Sequence, residues 1–170
     1  MWTARTADDW GALVARVGLA IVMFPHGAQK AFGWFGGEGL QATINGMTEQ
    51  GLPVFVPVFV VLAELAGSAA LLAGLLGRVA AASIAAVMLG AVALVHFEHG
   101  FFMNWTGTQS AEGFEYHILA VTLAAVVLIK GSGALSVDRA IERRREGPAA
   151  AGWAHVGVTA PDTDAAPARR

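Results

Sequence analysis

The chain has 170 residues, of which 55% are hydrophobic and 14% are charged, and it contains no cysteine. With a mean hydropathy of +0.56, it is too apolar for an ordinary soluble domain, in which about a quarter of the residues are charged. The formal net charge of −2 and the lack of a basic stripe give no electrostatic reason to expect a nucleic acid partner, and a chain without thiols cannot itself perform dithiol chemistry.

Four apolar runs are candidates for crossing a membrane, and they cover residues 11–32, 53–76, 79–97 and 114–133. A helix needs about 20 residues to span a hydrocarbon core of about 30 Å. The uncharged part of the fourth run has only 14 residues, so this run spans only if its flanking charged side chains snorkel to the interfaces. We therefore predict an all-α membrane protein, a four-transmembrane-helix bundle over residues 11–133, in preference to a soluble helical bundle.

Basic residues lie on one side of this predicted topology. Arg16, Arg78 and Lys130 all fall on the same side, whereas the loops at 33–52 and 98–113 carry acidic residues and no basic ones. Because positively charged loops stay in the cytoplasm, both termini are predicted to be cytoplasmic. Residues 1–10 lack the pattern of a cleaved signal peptide, so the first helix is expected to remain as an anchor.

The residues after the fourth run are expected to leave the membrane. Residues 134–146 are predicted to form an interfacial basic helix, in which Arg143 to Arg145 either contact anionic headgroups or act only as a topological anchor. Residues 147–170 are rich in Ala, Gly and Pro. They are predicted to form a disordered tail, since such a segment cannot bury a core.

Small residues indicate where the helices approach one another, because bilayer helices associate where small side chains bring the backbones close. Two such stripes have helical spacing, namely Ala63, Gly67, Ala70 and Gly74 in the second run and Ala82, Ala86 and Gly90 in the third. The short turn at Gly77 and Arg78 makes these two helices antiparallel neighbours. Both stripes are therefore expected to support helix packing.

One carboxyl group lies deep in the predicted membrane region. At 1.5 Å per residue, Glu64 is about 16 Å from the outer end of the second helix. At this depth, near the midplane, a carboxyl group is either protonated or partnered. Arg16 and His26 come within about 8 Å of the same depth from opposite sides, so either side chain can reach Glu64 across the bundle.

A polar cluster is expected under the outer loops, and its members are His26, His96, His99, His117, Lys30, Asn104 and Glu115. Three interpretations are open, namely a structural network, a substrate or quinone pocket, and a metal site. The spacing is too loose for a ligand set, and no single helix carries His-x-x-x-His, so we predict no metal. Trp34, Trp105 and Tyr116 are expected to form an aromatic belt at the outer interface.

Several motifs around these residues recur in a known family. They are Arg16-Val-Gly-Leu, His26-Gly-Ala-Gln-Lys30 continuing to Gly39, Gly51-Leu-Pro53, Ala63-Glu64-Leu-Ala-Gly67, Gly77-Arg78, Val95-His96, Gly100-Phe-Phe-Met-Asn104-Trp105, Phe114-Glu115-Tyr116 and Gly133 to Asp138. Together they resemble the DoxX family over about residues 10–140. The resemblance implies a small four-helix protein of the bacterial plasma membrane. Some members of the family resemble subunits of quinone-linked thiosulfate or thiol oxidoreductases, and others associate with proteins that act against oxidative stress. The resemblance therefore implies a role of this kind for the chain.

Two hypotheses about function follow. In the first, the chain is at most the membrane subunit of an oxidoreductase. It has no covalently bound cofactor, a quinone or small sulfur compound as ligand, and a site drawn from Arg16, His26, Lys30, Glu64, His96, Asn104 and Glu115. In the second, the chain is a non-enzymatic scaffold or small-solute carrier, in which Glu64 and Arg16 form a structural ion pair. Besides the lipid bilayer, a soluble redox partner and a homo-oligomer are open as partners.

Overall fold

The computed structural model describes residues 8–144, and within that range all regular structure is helical. The helices are α1 (Trp10–Phe32), α2 (Leu40–Glu49), α3 (Phe55–Ala73), α4 (Gly77–Ala91), α5 (Glu115–Lys130) and α6 (137–144). A π-helical turn, Val92–His96, and a short 3-10 turn, Phe97–His99, continue α4. Residues 1–7 and the predicted tail at 147–170 lie outside the described residues.

Three helical segments are long and apolar enough to cross a membrane, namely Trp10–Phe32, Phe55–Ala73 and Gly77–His99. They correspond to the first three predicted spans, which confirms the prediction of an all-α chain with several membrane-crossing helices. The helix α5 has 16 residues and is shorter than these three. Large apolar side chains such as Leu62, Leu89 and Leu119 are exposed on the outside of the helices, as expected where the surrounding solvent is lipid.

The four longest helices pack in a ring. The helix α1 contacts α3 and α5, and α4 contacts the same two helices from the other side. Leu19, Met23, Leu71, Ile84 and Val127 are almost completely buried between them. We call one end of the bundle the loop end. It contains the last turn of α1, the helix α2, the start of α3 and the residues between α4 and α5. The opposite end, where α1 begins and α5 ends, is called the terminal end.

The closest approach of two helices is between α1 and α3. A Cβ atom placed on Gly27 would lie 2.5 Å from the amide nitrogen of Leu65 and 2.7 Å from the carbonyl carbon of Glu64. Only a glycine at position 27 permits this distance, because a methyl group there would overlap the backbone of α3. The contact brings the half of α1 nearer the loop end against the middle of α3, and thereby sets the position of the polar residues on either side.

The predicted packing stripes are only partly correct. In α3, Ala63 is buried and Gly67 faces Ile84 of α4. In α4, however, the predicted stripe is wrong, because Ala82 and Ala86 are exposed. The buried residues of α4 are instead Gly77, Ala80, Ala81, Ile84, Val87 and Met88. Small residues let helices approach but do not require it, and the two neighbours of α4 contact a different face.

The loop end contains a helix that hydropathy did not predict. Residues 33–52 were expected to be a loop, but α2 occupies Leu40–Glu49 and contacts α1 and α3. The turn before it depends on Gly33, whose φ of 73° ends α1 in the left-handed conformation, and glycine adopts that conformation without a steric cost. As a result, α2 lies over the last turn of α1, beside Lys30.

Candidate functional site

The centre of the candidate site is an ion pair between α1 and α3. The Nζ atom of Lys30 lies 2.6 Å from Oε2 of Glu64, and the two side chains are 25% and 4% exposed. Glu64 stands halfway along α3, which runs from Phe55 to Ala73. A carboxylate at this depth requires a partner because its desolvation costs several kcal/mol, and a hydrogen-bonded ammonium group offsets that cost.

Helix geometry explains why Lys30 reaches inwards. Gly27 lies at the level of Glu64, and Lys30 is about one turn nearer the loop end. Side chains of a helix tilt toward its N-terminus, so the Lys30 side chain extends back along α1 toward the carboxylate. The Glu64 carbonyl also accepts a short hydrogen bond from the Ser68 hydroxyl. The partner of the buried Glu64 carboxylate is therefore a lysine nearer the loop end.

One turn before Lys30, His26 contacts the start of α5. Its ring centroid lies 5.9 Å from that of Tyr116, and the Tyr116 hydroxyl donates a hydrogen bond to the Met23 sulfur at 3.1 Å. Tyr116 packs partly buried against the core, so its ring contacts the other helices of the bundle. A thioether is a weak acceptor, which leaves this hydroxyl free to donate to a stronger one.

His26 is exposed and lies at the edge of the face of α1 that is turned toward the bundle. The residues around it on that face contact other helices: Met23 contacts Tyr116 of α5, and Lys30 contacts Glu64 of α3. The imidazole contacts α5 and is still exposed, so it can be reached from outside the bundle, and we call this exposed surface beside Tyr116 the opening between α1 and α5. It lies about 9 Å along the axis from the loop end of α1, within the length of a helix that can cross a membrane.

A second pair of imidazoles adjoins Tyr116. The rings of His96 and His117 have centroids 4.2 Å apart, and Tyr116 and His117 have centroids 5.4 Å apart. His117 is 6% exposed, and its Nδ1 atom has no hydrogen-bond partner among residues 8–144. The Nδ1 atom of His96 lies 2.9 Å from the carbonyl oxygen of Glu112. These two histidines therefore extend the site toward the loop end.

Arg16 lies at the terminal end and does not pair with Glu64, so that predicted ion pair was wrong. Its guanidinium donates to the carbonyl oxygens of Leu71 and Leu72 at 2.5 and 2.8 Å. It also donates to those of Ala134 and Leu135 at 3.2 and 2.9 Å. These contacts satisfy the last carbonyls of α3. Arg16 is 1% exposed, and it joins the end of α3 to the segment after α5.

Asn104 and Glu115 make their hydrogen bonds within the loop that joins α4 to α5. One Glu115 oxygen accepts from the Met103 amide at 3.2 Å and from the Trp105 indole at 3.0 Å. Asn104 exchanges two hydrogen bonds of 3.0 Å with the backbone of Gln109. Both candidate residues thus hold this loop in shape, and His99 also belongs to it, since it lies near Glu98 and Ser110.

A cavity of about 350 Å³ lies on the other side of Lys30, between the end of α1 and α2. Its lining residues are Gln29, Lys30, Gly37, Glu38, Ala42, Thr43, Gly46, Met47 and Gln50. Five of these nine residues, Gln29, Lys30, Glu38, Thr43 and Gln50, have polar side chains, so the cavity suits a small polar molecule. Lys30 borders both this cavity and the Glu64 carboxylate, which connects the two.

The structure groups the predicted site residues differently from their order in the sequence. His26, Lys30 and Glu64 come together, and His96 adjoins them through His117 and Tyr116. Neither His117 nor Tyr116 was among the seven residues from which the oxidoreductase site was predicted. No group of three or more His, Cys, Asp or Glu side chains in the described range is arranged to hold a metal ion. His117 carried a signal, since it was recognised as an outer histidine, but nothing in the sequence placed it beside His96.

The fold and the site define a class, namely an α-helical, multi-pass membrane protein with a buried acid–base pair reached from the loop end. Residues 11–97 match the family model described as DoxX, and the chain belongs to the DoxX family. It is also 29% identical over 128 residues to a protein of Bacillus subtilis (strain 168) named "Putative oxidoreductase CatD". That alignment covers 75% of this chain and 84% of the relative. No solved structure matches the chain.

Proposed function

We propose that this chain is the membrane subunit of an oxidoreductase, and that the opening between α1 and α5 binds a quinone. The observation that carries the proposal is the exposed His26 imidazole within the depth of α1, one turn from an ammonium group paired with a midplane carboxylate. Polar groups at this depth are costly and usually serve a ligand or a proton. The name of the Bacillus relative, which includes "oxidoreductase", supports the same class.

The residues at the opening suit a quinone. The ligand has a flat apolar ring with two carbonyl acceptors, so its site needs apolar walls and a few donors. Lys30 has three donors, one of which is bound to Glu64, and Tyr116 donates only to a thioether. His26 adds a ring nitrogen. When a quinone binds, its carbonyl oxygen would therefore replace the Met23 thioether as the acceptor of the Tyr116 hydroxyl, and a carbonyl is the stronger acceptor. The isoprenoid tail of the quinone would stay in lipid.

The electrons must come from outside the chain, since the sequence contains no cysteine and no recognisable flavin, haem or iron–sulfur motif. We propose a small sulfur compound or a soluble redox partner as the donor. Joining two thiosulfate ions through a new S–S bond releases two electrons. Reduction of a quinone consumes two electrons and two protons, so the reaction balances with protons taken from water. The polar cavity beside Lys30 offers such a donor an approach separate from the lipid.

We also propose that α5 is a fourth membrane span and that both termini are cytoplasmic. Two contacts support the arrangement of the terminal end. Lys130 at the end of α5 lies 3.1 Å from Asp9 at the start of α1, and Arg78 at the start of α4 donates to the Leu128 carbonyl at 2.9 Å. The basic residues Arg16, Arg78 and Lys130 thus lie at one end, which the positive-inside rule assigns to the cytoplasm.

The proposal is tested by quinone binding to the purified full chain in detergent, with decylubiquinone as the probe. We expect His26→Ala, Lys30→Met and Tyr116→Phe to weaken binding by about tenfold each, which is about 1.4 kcal/mol. His99→Ala is the matched control, because His99 is a histidine of the loop end outside the site. Absence of binding to the wild-type chain, or equal binding by all variants, would overturn the proposal and favour the scaffold or carrier.

A further inference from the structure

Four aromatic rings form a continuous series from the opening to the loop end. The ring centroids lie 5.9 Å apart for His26 and Tyr116, 5.4 Å for Tyr116 and His117, and 4.2 Å for His117 and His96. The series crosses from α1 to α5 and then to the end of α4. Each ring carries a group that can give or take a proton.

A π-helical turn brings the last ring of the series into place. In an α-helix each residue advances about 100°, and a π-turn contains one extra residue. The turn Val92–His96 therefore rotates His96 by about a quarter of a turn relative to a regular continuation of α4. Without the rotation, Val95 would occupy the face that follows Ile84 and Met88. With it, His96 faces His117 of α5.

The hydrogen bonds of His96 determine which of its nitrogens can accept a proton. A carbonyl oxygen only accepts, so the contact with Glu112 places the proton on Nδ1 of the neutral ring. The Nε2 atom is then the free base. His117 is buried, and its Nδ1 is unpartnered in the described range, although buried polar atoms are nearly always bonded to protein or water. A basic nitrogen and an unsatisfied one thus lie in adjacent rings.

Two charged side chains, Lys30 and Glu64, lie near the inner end of the series. Glu64 is within electrostatic range of Tyr116, and Lys30 of His26, whereas His117 is influenced by His96 and His26. At the outer end, the Glu112 side chain is bound to the Asn104 amide, and His96 is partly exposed. The series thus runs from the ion pair at mid-depth to a histidine in contact with solvent.

We infer that His117 and His96 carry protons between the opening at His26 and the water at the loop end. The inference rests on the proposed function, since reduction of a quinone by an electron donor consumes two protons at the opening. His96 takes a proton from water on Nε2 and gives it to the unpartnered Nδ1 of His117. His117 then releases its other ring proton toward Tyr116 and His26, so that both imidazoles return to the neutral form and hydroxide remains in the water at the loop end. Both residues transfer protons, and neither contacts the quinone.

The first test uses the quinone-free full chain labelled with 15N-histidine, in which NMR measures solvent exchange of the His117 ring proton. Replacement of His96 by phenylalanine keeps an aromatic ring but removes both nitrogens. We expect His96→Phe to slow the exchange by at least about tenfold, whereas the control His99→Phe leaves it unchanged. Added imidazole should restore the exchange in His96→Ala, a result that a merely structural role of His96 would not produce. Unchanged exchange in His96→Phe overturns the relay.

The second test connects the relay with the quinone. Decylubiquinone bound to the full chain is reduced with dithionite, and quinol formation is followed by absorbance. His96→Phe should bind the probe as tightly as the wild-type chain but form quinol at least about tenfold more slowly. Normal binding with an unchanged rate overturns the relay alone. If the wild-type chain binds no decylubiquinone, the proposed function is wrong, and the inferred role of the relay is wrong with it.

Discussion

Gly27 of α1 and Leu65 of α3 meet backbone to backbone, so that a Cβ on Gly27 would stand 2.5 Å from the Leu65 amide nitrogen. This contact sets the distance between the two helices that carry Lys30 and Glu64. The ion pair at the centre of the candidate site therefore depends on Gly27, which takes no part in the pair but lets the two helices approach because it has no side chain.

Replacement of Gly27 by alanine is expected to separate α1 from α3. The added methyl group must displace the backbone of α3, and overpacking of this kind costs about 1–3 kcal/mol. We expect a lower midpoint of thermal unfolding in detergent and weaker binding of decylubiquinone. Gly18→Ala is the matched control, because a Cβ on Gly18 meets nothing within 4 Å. Equal unfolding midpoints for the two variants would contradict the role of the close contact.

Breaking the ion pair from its two sides is expected to have unequal effects. Lys30→Met leaves the carboxylate of Glu64, which is 4% exposed, without its partner, and loss of a partner from a buried pair costs about 3–5 kcal/mol. Glu64→Gln leaves Lys30, which is 25% exposed, and its flexible side chain can turn toward the cavity. Thermal unfolding should therefore show a larger loss for Lys30→Met.

A double replacement completes this comparison. Lys30→Met combined with Glu64→Leu removes both charges, so it should be more stable than Lys30→Met alone. The same protein should bind decylubiquinone no more tightly than Lys30→Met, because it also lacks the Lys30 donor, although its stability is partly restored. A double variant as unstable as Lys30→Met would show that the unpaired charge is not the source of the destabilisation.

Arg16→Lys is expected to be strongly destabilising although it preserves the charge. The guanidinium donates to four carbonyl oxygens in two separate segments, at Leu71, Leu72, Ala134 and Leu135. A lysine ammonium is a single point and cannot reach both segments. Each lost bond to a charged group costs about 1.5–3 kcal/mol. Arg143→Lys, at a side chain that is 64% exposed, serves as the control in thermal unfolding and should match the wild-type chain.

The start of α1 should make stability depend on acid pH. The Asp9 carboxylate accepts from the Ala12 amide at 2.9 Å and lies 3.1 Å from Lys130. These contacts, the amide first, lower the pKa of Asp9. Because the pKa is lower in the folded state, the contribution is complete above the usual pKa of a carboxyl group. It decreases as the pH falls through the lowered value.

The substitution Asp9→Asn separates the two contacts of that carboxylate. Asparagine also caps helices but cannot form the ion pair or titrate. We therefore expect Asp9→Asn to be less stable than the wild-type chain at neutral pH, with the difference decreasing toward acid pH in thermal unfolding. A difference that is constant with pH would argue against a role for the Asp9 charge.

Hydropathy alone predicted the three long spans, because the free energy of placing a helix in lipid is a sum over about 20 residues and tolerates small errors in each boundary. The depths predicted for Glu64 and His26 in the membrane had a similar basis, since the depth of a residue follows from its position along a straight helix. The helix α2 was missed because a short polar helix forms through its contacts with α1 and α3 rather than through its own composition.

Which polar groups meet was decided by the tertiary structure. The sequence by itself placed Glu64 midway along its helix and in need of a partner, but it offered Arg16 and His26 as the candidates and did not offer Lys30. The contact at Gly27 and the inward tilt of the Lys30 side chain selected the lysine, while the carbonyls at the end of α3 bound Arg16. The π-turn at Val92–His96 likewise rotated His96 toward His117. Contacts of this kind depend on where two helices cross and how each is rotated, and these quantities arise only when the helices pack.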